Sequence, residues 1–112
     1  MKLLAKILST LGVATALMAG AQPITLHTAT QDGSAPKFIE SDGPATGLCP
    51  DIFQAMERAD RNLHFDTDPR PTPVKRLEAE LKDGQLDVLC ALLDTALRNE
   101  IAYRIRDRKS VV

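Results

Sequence analysis

The sequence predicts an α/β domain built on a parallel sheet with flanking helices. Two observations predict it. Stretches of alternating apolar and polar residues trade places with stretches whose apolar residues recur at helical spacing, in the order strand, helix, strand, helix, strand, helix. In addition, Asp87 to Leu93 (DVLCALL) is nearly continuous apolar sequence, as expected of a strand covered on both faces of a parallel sheet.

The chain has 112 residues, room for one domain. Residues 1–21 read as a secretory signal peptide. Lys2 and Lys6 form a basic start, Ile7 to Met18 a short apolar stretch, and Ala19-Gly20-Ala21 a small-x-small cleavage site. The apolar stretch falls short of the roughly 20 residues a spanning helix needs, and no second segment reaches that length. The expected domain is therefore residues 22–112, exported, with no stable membrane span after cleavage. Without Lys2 and Lys6 it holds 12 Lys and Arg against 15 Asp and Glu, a net charge of −3. That balance excludes a general nucleic-acid binder, which would show a basic excess. Export places Cys49 and Cys90 where disulfides persist. Two thiols are too few for a disulfide framework or a structural zinc site, so they either pair once or stand as two small buried hydrophobes.

The elements follow in order. Ile24 to Ala29 (ITLHTA) alternates over six residues and reads as the first strand. Gln31 to Ser34 is a loop, and Lys37 to Glu40 a short extended piece turned by Ser41-Asp42-Gly43-Pro44. Gly47 precedes a helix in which Pro50 suits the first turn and Asp51 the positive end of the dipole. Ile52, Phe53, Met56 and Ala59 make its apolar face. Leu63-His64-Phe65 is a second short strand. Asp66 to Pro73 holds three prolines and is expected to be a loop. Thr72-Pro73 then suits an N-cap and N1 pair, Val74, Leu77 and Leu81 form a helical stripe, and Glu78 and Lys82 are spaced to pair at i,i+4. Gly84 is the expected left-handed stop. The third strand is Asp87 to Leu93, and Asp94 or Thr95 caps a last helix through Ile101. Arg104 to Val112 changes abruptly to basic sequence, which suggests a truncated or frame-shifted reading of a longer protein.

No G-x-S-x-G, P-loop or G-x-G-x-x-G is present, so no catalytic residue is nominated and no cofactor is expected. His27 and His64 lack partners at ligand spacing and read as strand residues, with no metal expected. Asp66 and Asp68 read as solvated loop carboxylates. The exception is the segment from Leu93 to Arg98. It follows the carboxyl end of a strand, where open α/β sheets bind ligands. A helix start there presents free N–H groups to an anion, and Arg98 can add a bidentate fork to a carboxylate.

Pro36-Lys37-Phe38-Ile39, Asp42-Gly43 leading to Gly47-Leu48 and Asp51, Gly84-x-x-Asp87-Val88 after Leu81, and Thr95-x-x-Arg98 occur in one order. In that order the chain resembles the N-terminal part of a family 3 solute-binding protein, the periplasmic amino-acid-type receptor of ABC transporters. The resemblance implies a type II periplasmic-binding-protein-like sheet, here an incomplete first lobe, located in the periplasm. It implies binding of a small polar solute, an amino acid or another small organic anion, and an ABC transporter permease as partner. It puts Arg98 on the ligand carboxylate, with Thr95, Leu93, Ser34 and Phe38 beside it. Leu93 and Ala91 stand where the family usually carries small hydroxyl residues, and Ser34 where it often carries an aromatic. In such a receptor Cys49 lies just before the first helix and Cys90 in the third strand, elements that can pack together, so the resemblance allows a Cys49–Cys90 disulfide. Relatives on the same scaffold include dehydratases, cell-wall lyases and sensory domains, which are the alternative functions.

A partial lobe leaves strand edges and helix faces uncovered, and such surfaces invite association. The isolated polypeptide is expected to self-associate or fold poorly. Light scattering during thermal melting tests this, and a cooperative transition of a monomer is the contrary outcome.

Overall fold

A computed structural model describes residues 22–105; the expected signal peptide, residues 1–21, and residues 106–112 of the expected basic tail lie outside the described residues. β1 (Ile24–Gln31) and β2 (Leu63–Thr72) form a two-stranded parallel sheet. α1 (Leu48–Ala59) supplies the long crossover that a parallel pair requires. α2 (Val74–Lys82) and the short α3 (Ala96–Ile101) follow. The architecture is α/β with flanking helices, as the element order predicts. No helix among the described residues is long and apolar enough to cross a membrane.

Each face of the sheet carries its own core. On one face Phe38, Cys49, Phe53 and Phe65 are buried together, with Leu26, Leu63, Val88 and Cys90 packed against them. The Phe53 and Phe65 rings stack with centroids 4.4 Å apart. The second cluster is Ala29, Leu77 and Leu86, with Leu81 and Leu89 against it. Leu26 and Ala29 of one strand enter different clusters because successive side chains of a strand leave opposite faces. Leu77 of α2 is 1% exposed there, which accounts for the apolar stripe of that helix.

β2 is more than three times as long as the expected Leu63-His64-Phe65, and it runs through the segment read as a loop. Ile24 N–H donates to Asn62 O and Asp32 N–H to Thr72 O, so the even-numbered residues of β2 face β1. Pro69 and Pro71 therefore hold outward-facing positions of an edge strand, where a missing N–H breaks no ladder bond. The pairing also shifts between Ala29 and Thr30, which pass from Asp68 to Pro71, so Pro69 and Arg70 are left out of the register. Asp68, read as a loop carboxylate, sits at that irregularity. It accepts from the Arg70 side chain at 2.7 Å and from its backbone N–H at 3.0 Å, and these bonds hold its carboxyl below the ordinary aspartate range. Asp66 is also a strand residue, with Oδ2 3.2 Å from Nδ1 of His27, its register partner.

The expected third strand does not form. Asp87 and Val88 N–H groups both reach His27 O, at 2.8 and 3.3 Å, while His27 N–H donates to the Asp87 carboxylate at 2.8 Å. A side-chain oxygen thus takes the place of the backbone carbonyl that a ladder would supply. Ala91, at φ 57°, then turns the chain out of the extended path. The segment still alternates as a strand does: Val88 and Cys90 turn to the first core and Leu89 to the second. Its apolar run reflects cover on both faces.

Smaller departures concern the helices. In α1 only Cys49 and Phe53 are buried, and Ile52 and Met56 stay 40% and 41% exposed. The buried ridge is one residue round from the expected face, because Glu57, next on that ridge, reaches over β2 and accepts from Phe65 N–H at 2.9 Å. In α2 Pro73 takes the N-cap position, and Glu78 bonds to Arg98 where Lys82 was expected. The i,i+4 pair on that helix is Arg76–Glu80, at 3.1 Å. Gly84 is the left-handed stop, with φ 79°. Gly47 starts α1 at φ 124°, and a Cβ there would stand 2.7 Å from the carbonyl oxygens of both Pro36 and Lys37. Only glycine permits that approach.

Candidate functional site

Three segments lie side by side around β1. Odd-numbered residues of β1 present their backbone groups away from β2, so Asp87 and Val88 meet His27 on the opposite edge. The spatial order is β2, β1, then Leu86–Cys90. At the carboxyl ends of β1 and of Leu86–Cys90, the loop from Asp32 to Gly47 and the loop from Ala91 to Thr95 come together. Their meeting point is the candidate site.

The first loop is held tightly. Ser34 is 7% exposed and its Oγ donates to Gln31 O at 2.8 Å. Lys37 N–H donates to Ser34 O at 2.8 Å, and Lys37 O accepts from Cys49 N–H at 3.0 Å. The Ala35–Pro36 peptide is cis. Phe38 is 3% exposed within the first core. It anchors the loop from beneath, whereas the sequence suggests a ligand contact.

The second loop is tied to α2. Thr95 is the N-cap of α3, and its Oγ1 accepts from Arg98 N–H at 3.2 Å. This gives the Thr-x-x-Arg spacing a local cause, because an N-cap hydroxyl satisfies the N–H three residues on. The Arg98 side chain turns back. Its Nε and Nη2 both meet Glu78 Oε1 at 2.6 Å, and Nη1 donates to Leu93 O at 2.8 Å. Both side chains of the pair are about one-fifth exposed. The guanidinium charge is therefore matched within the chain, and Arg98 clamps α3 and the second loop to α2. Asn99 and Asp94 add a side-chain bond at 2.8 Å across the start of α3. Leu93 itself is 80% exposed.

Of the five residues nominated from sequence, Leu93, Thr95 and Arg98 are brought together, Ser34 shapes the facing loop, and Phe38 is core. Lys37 was missed. Its Nζ crosses between the loops to Ala91 O at 3.0 Å. No sequence spacing predicts that contact, which depends on the third segment lying beside β1. Cys49 and Cys90 are joined in a disulfide, closing 41 residues of chain, with Cα atoms 6.0 Å apart. Cys49 lies within the first turn of α1, and Cys90 lies in the irregular third segment.

Elsewhere the chemistry is sparse. His64 Nδ1 stands 3.0 Å from Glu57 Oε2, an exposed pairing between β2 and α1. An open groove along α1 and the turn after it is lined by Gln54, Glu57, Arg58 and Arg61 and shares no residue with the loops above. Among the described residues no group of three or more His, Cys, Asp or Glu side chains is placed to hold a metal ion. No protein-family model matches the chain, and no curated protein matches it.

Proposed function

We propose that the chain is part of the first lobe of a type II periplasmic receptor. On this reading it binds an amino acid or another small organic anion and passes it to an ABC transporter permease. The observation that carries the reading is the order β2, β1, third segment. In doubly wound sheets of that order the ligand crevice lies beyond the carboxyl ends of the first and third strands. The two loops converging at that point in this chain supply Ser34 and Lys37 from one side and Leu93, Thr95 and Arg98 from the other. The order of the Pro-Phe, Gly-Leu, Gly-x-x-Asp and Thr-x-x-Arg elements supports the same reading independently.

Architecture alone assigns no activity, so the test is binding. The oxidised protein with its second lobe present is titrated calorimetrically with the proteinogenic amino acids, acetate, lactate and succinate. Saturable binding of at least one carboxylate is the expected result. Titrations without saturable heat across that panel would remove the receptor reading.

A further inference from the structure

Resting on that receptor reading, we propose that Lys37 is the residue that meets the ligand's anionic group, and that Arg98 is a clamp of the crevice wall. The two cations at the site differ in what already satisfies them. Arg98 has its Nε and Nη2 on a carboxylate at 2.6 Å and a third donor on Leu93 O. An anion reaching it must displace Glu78 or share the guanidinium with it. Lys37 Nζ has a neutral partner, the Ala91 carbonyl at 3.0 Å. Among the described residues it forms no ion pair with a carboxylate. An ammonium has three N–H donors, so two remain for a ligand, together with an unmatched charge.

The Lys37 side chain also springs from a fixed base. Its own N–H and C=O are bonded to Ser34 O and Cys49 N–H. From Cys49 the disulfide leads to Cys90, and the next residue, Ala91, supplies the carbonyl that Nζ touches. Lys37, Cys49, Cys90 and Ala91 thus form a closed ring of hydrogen bonds and covalent bonds. The ammonium is held at the junction of the two loops before any ligand arrives, which lowers the ordering cost of binding. A carboxylate is the class of ligand group this suits, because it accepts charge-assisted hydrogen bonds from an ammonium.

The test uses the same oxidised two-lobed protein and each carboxylate of the panel above that binds the wild type. Lys37→Gln is expected to weaken binding by about tenfold or more, as loss of a charge-assisted hydrogen bond implies. Lys37→Arg is expected to retain most of the affinity, and Arg98→Gln, which opens the clamp on α2, to lower the thermal midpoint and to weaken binding less than Lys37→Gln does. Thermal midpoints of all variants are measured in parallel, and the Lys37→Arg result separates lost charge from a disturbed loop. Wild-type affinity in Lys37→Gln overturns the proposal and leaves the receptor reading standing. So does a larger loss in Arg98→Gln than in Lys37→Gln at unchanged thermal midpoint. A wild type that binds no member of the panel ends both.

Discussion

Replacing both Cys49 and Cys90 with alanine is expected to cost the oxidised chain about 4 kcal/mol of stability, the chain-entropy value for a closed loop of this length. For a domain of this size that corresponds to a fall in Tm on the order of 15–30 °C. The size of the effect follows from where the bond sits. It ties the first turn of α1 to the third segment, and that segment has no ladder of its own. Apart from side-chain packing, its hold on the sheet is the contact of Asp87 and Val88 with His27. Opening the disulfide frees 41 residues of sequence separation in the unfolded chain and removes the covalent tie of this segment in the folded one. Denaturant titration of the oxidised wild type and the double variant measures the difference. A change below about 1 kcal/mol would mean that apolar packing alone holds the segment, contrary to the loop-closure argument.

Phe65→Ala is expected to destabilise the fold by about 3–5 kcal/mol, the range for deleting a buried aromatic ring. Phe65 is 7% exposed, stacks on Phe53 and shares its cluster with Phe38 and Cys49. It joins β2 to α1 and to the loop that carries Lys37. The backbone bond from Phe65 N–H to Glu57 is independent of the ring, so the loss measures packing rather than hydrogen bonding. Ile52→Ala serves as the comparison, since Ile52 is 40% exposed on the neighbouring ridge of α1 and its truncation should change stability by about 0.5 kcal/mol or less. Urea unfolding of both variants decides it. Equal effects at the two positions would contradict the division of α1 into a buried ridge and an exposed one.

The helices, the first strand and the α/β class were legible because each rests on local pattern. The stripe of Val74, Leu77 and Leu81, the stop at Gly84 and the cap at Thr95 need no distant partner to be recognised. β2 was cut short because proline counts against a strand. The rule holds for positions facing a neighbour, and which side Pro69 and Pro71 face is decided only by the pairing with β1. The third segment failed in the opposite sense. Its apolar run correctly implied cover on both faces, but a strand also needs a backbone partner, and Asp87 satisfies His27 with its side chain. At the candidate site, Thr95-x-x-Arg98 was visible as a spacing. Its use as a cap and a clamp was not, because Glu78 lies 20 positions away in sequence. Lys37 gave no signal, since a lone lysine acquires meaning only from the carbonyl it finds across the fold.

The prolines of β2 bear on how this sheet can grow. A strand arriving at the free side of β2 would meet two imide nitrogens with nothing to donate, at Pro69 and Pro71. It would also find the Phe65 amide already engaged by Glu57. That margin is chemically capped. Any additional strand, from a continuation of the same polypeptide or from another molecule, is directed to the far side, beyond Leu86–Cys90, so enlargement of the sheet is one-directional.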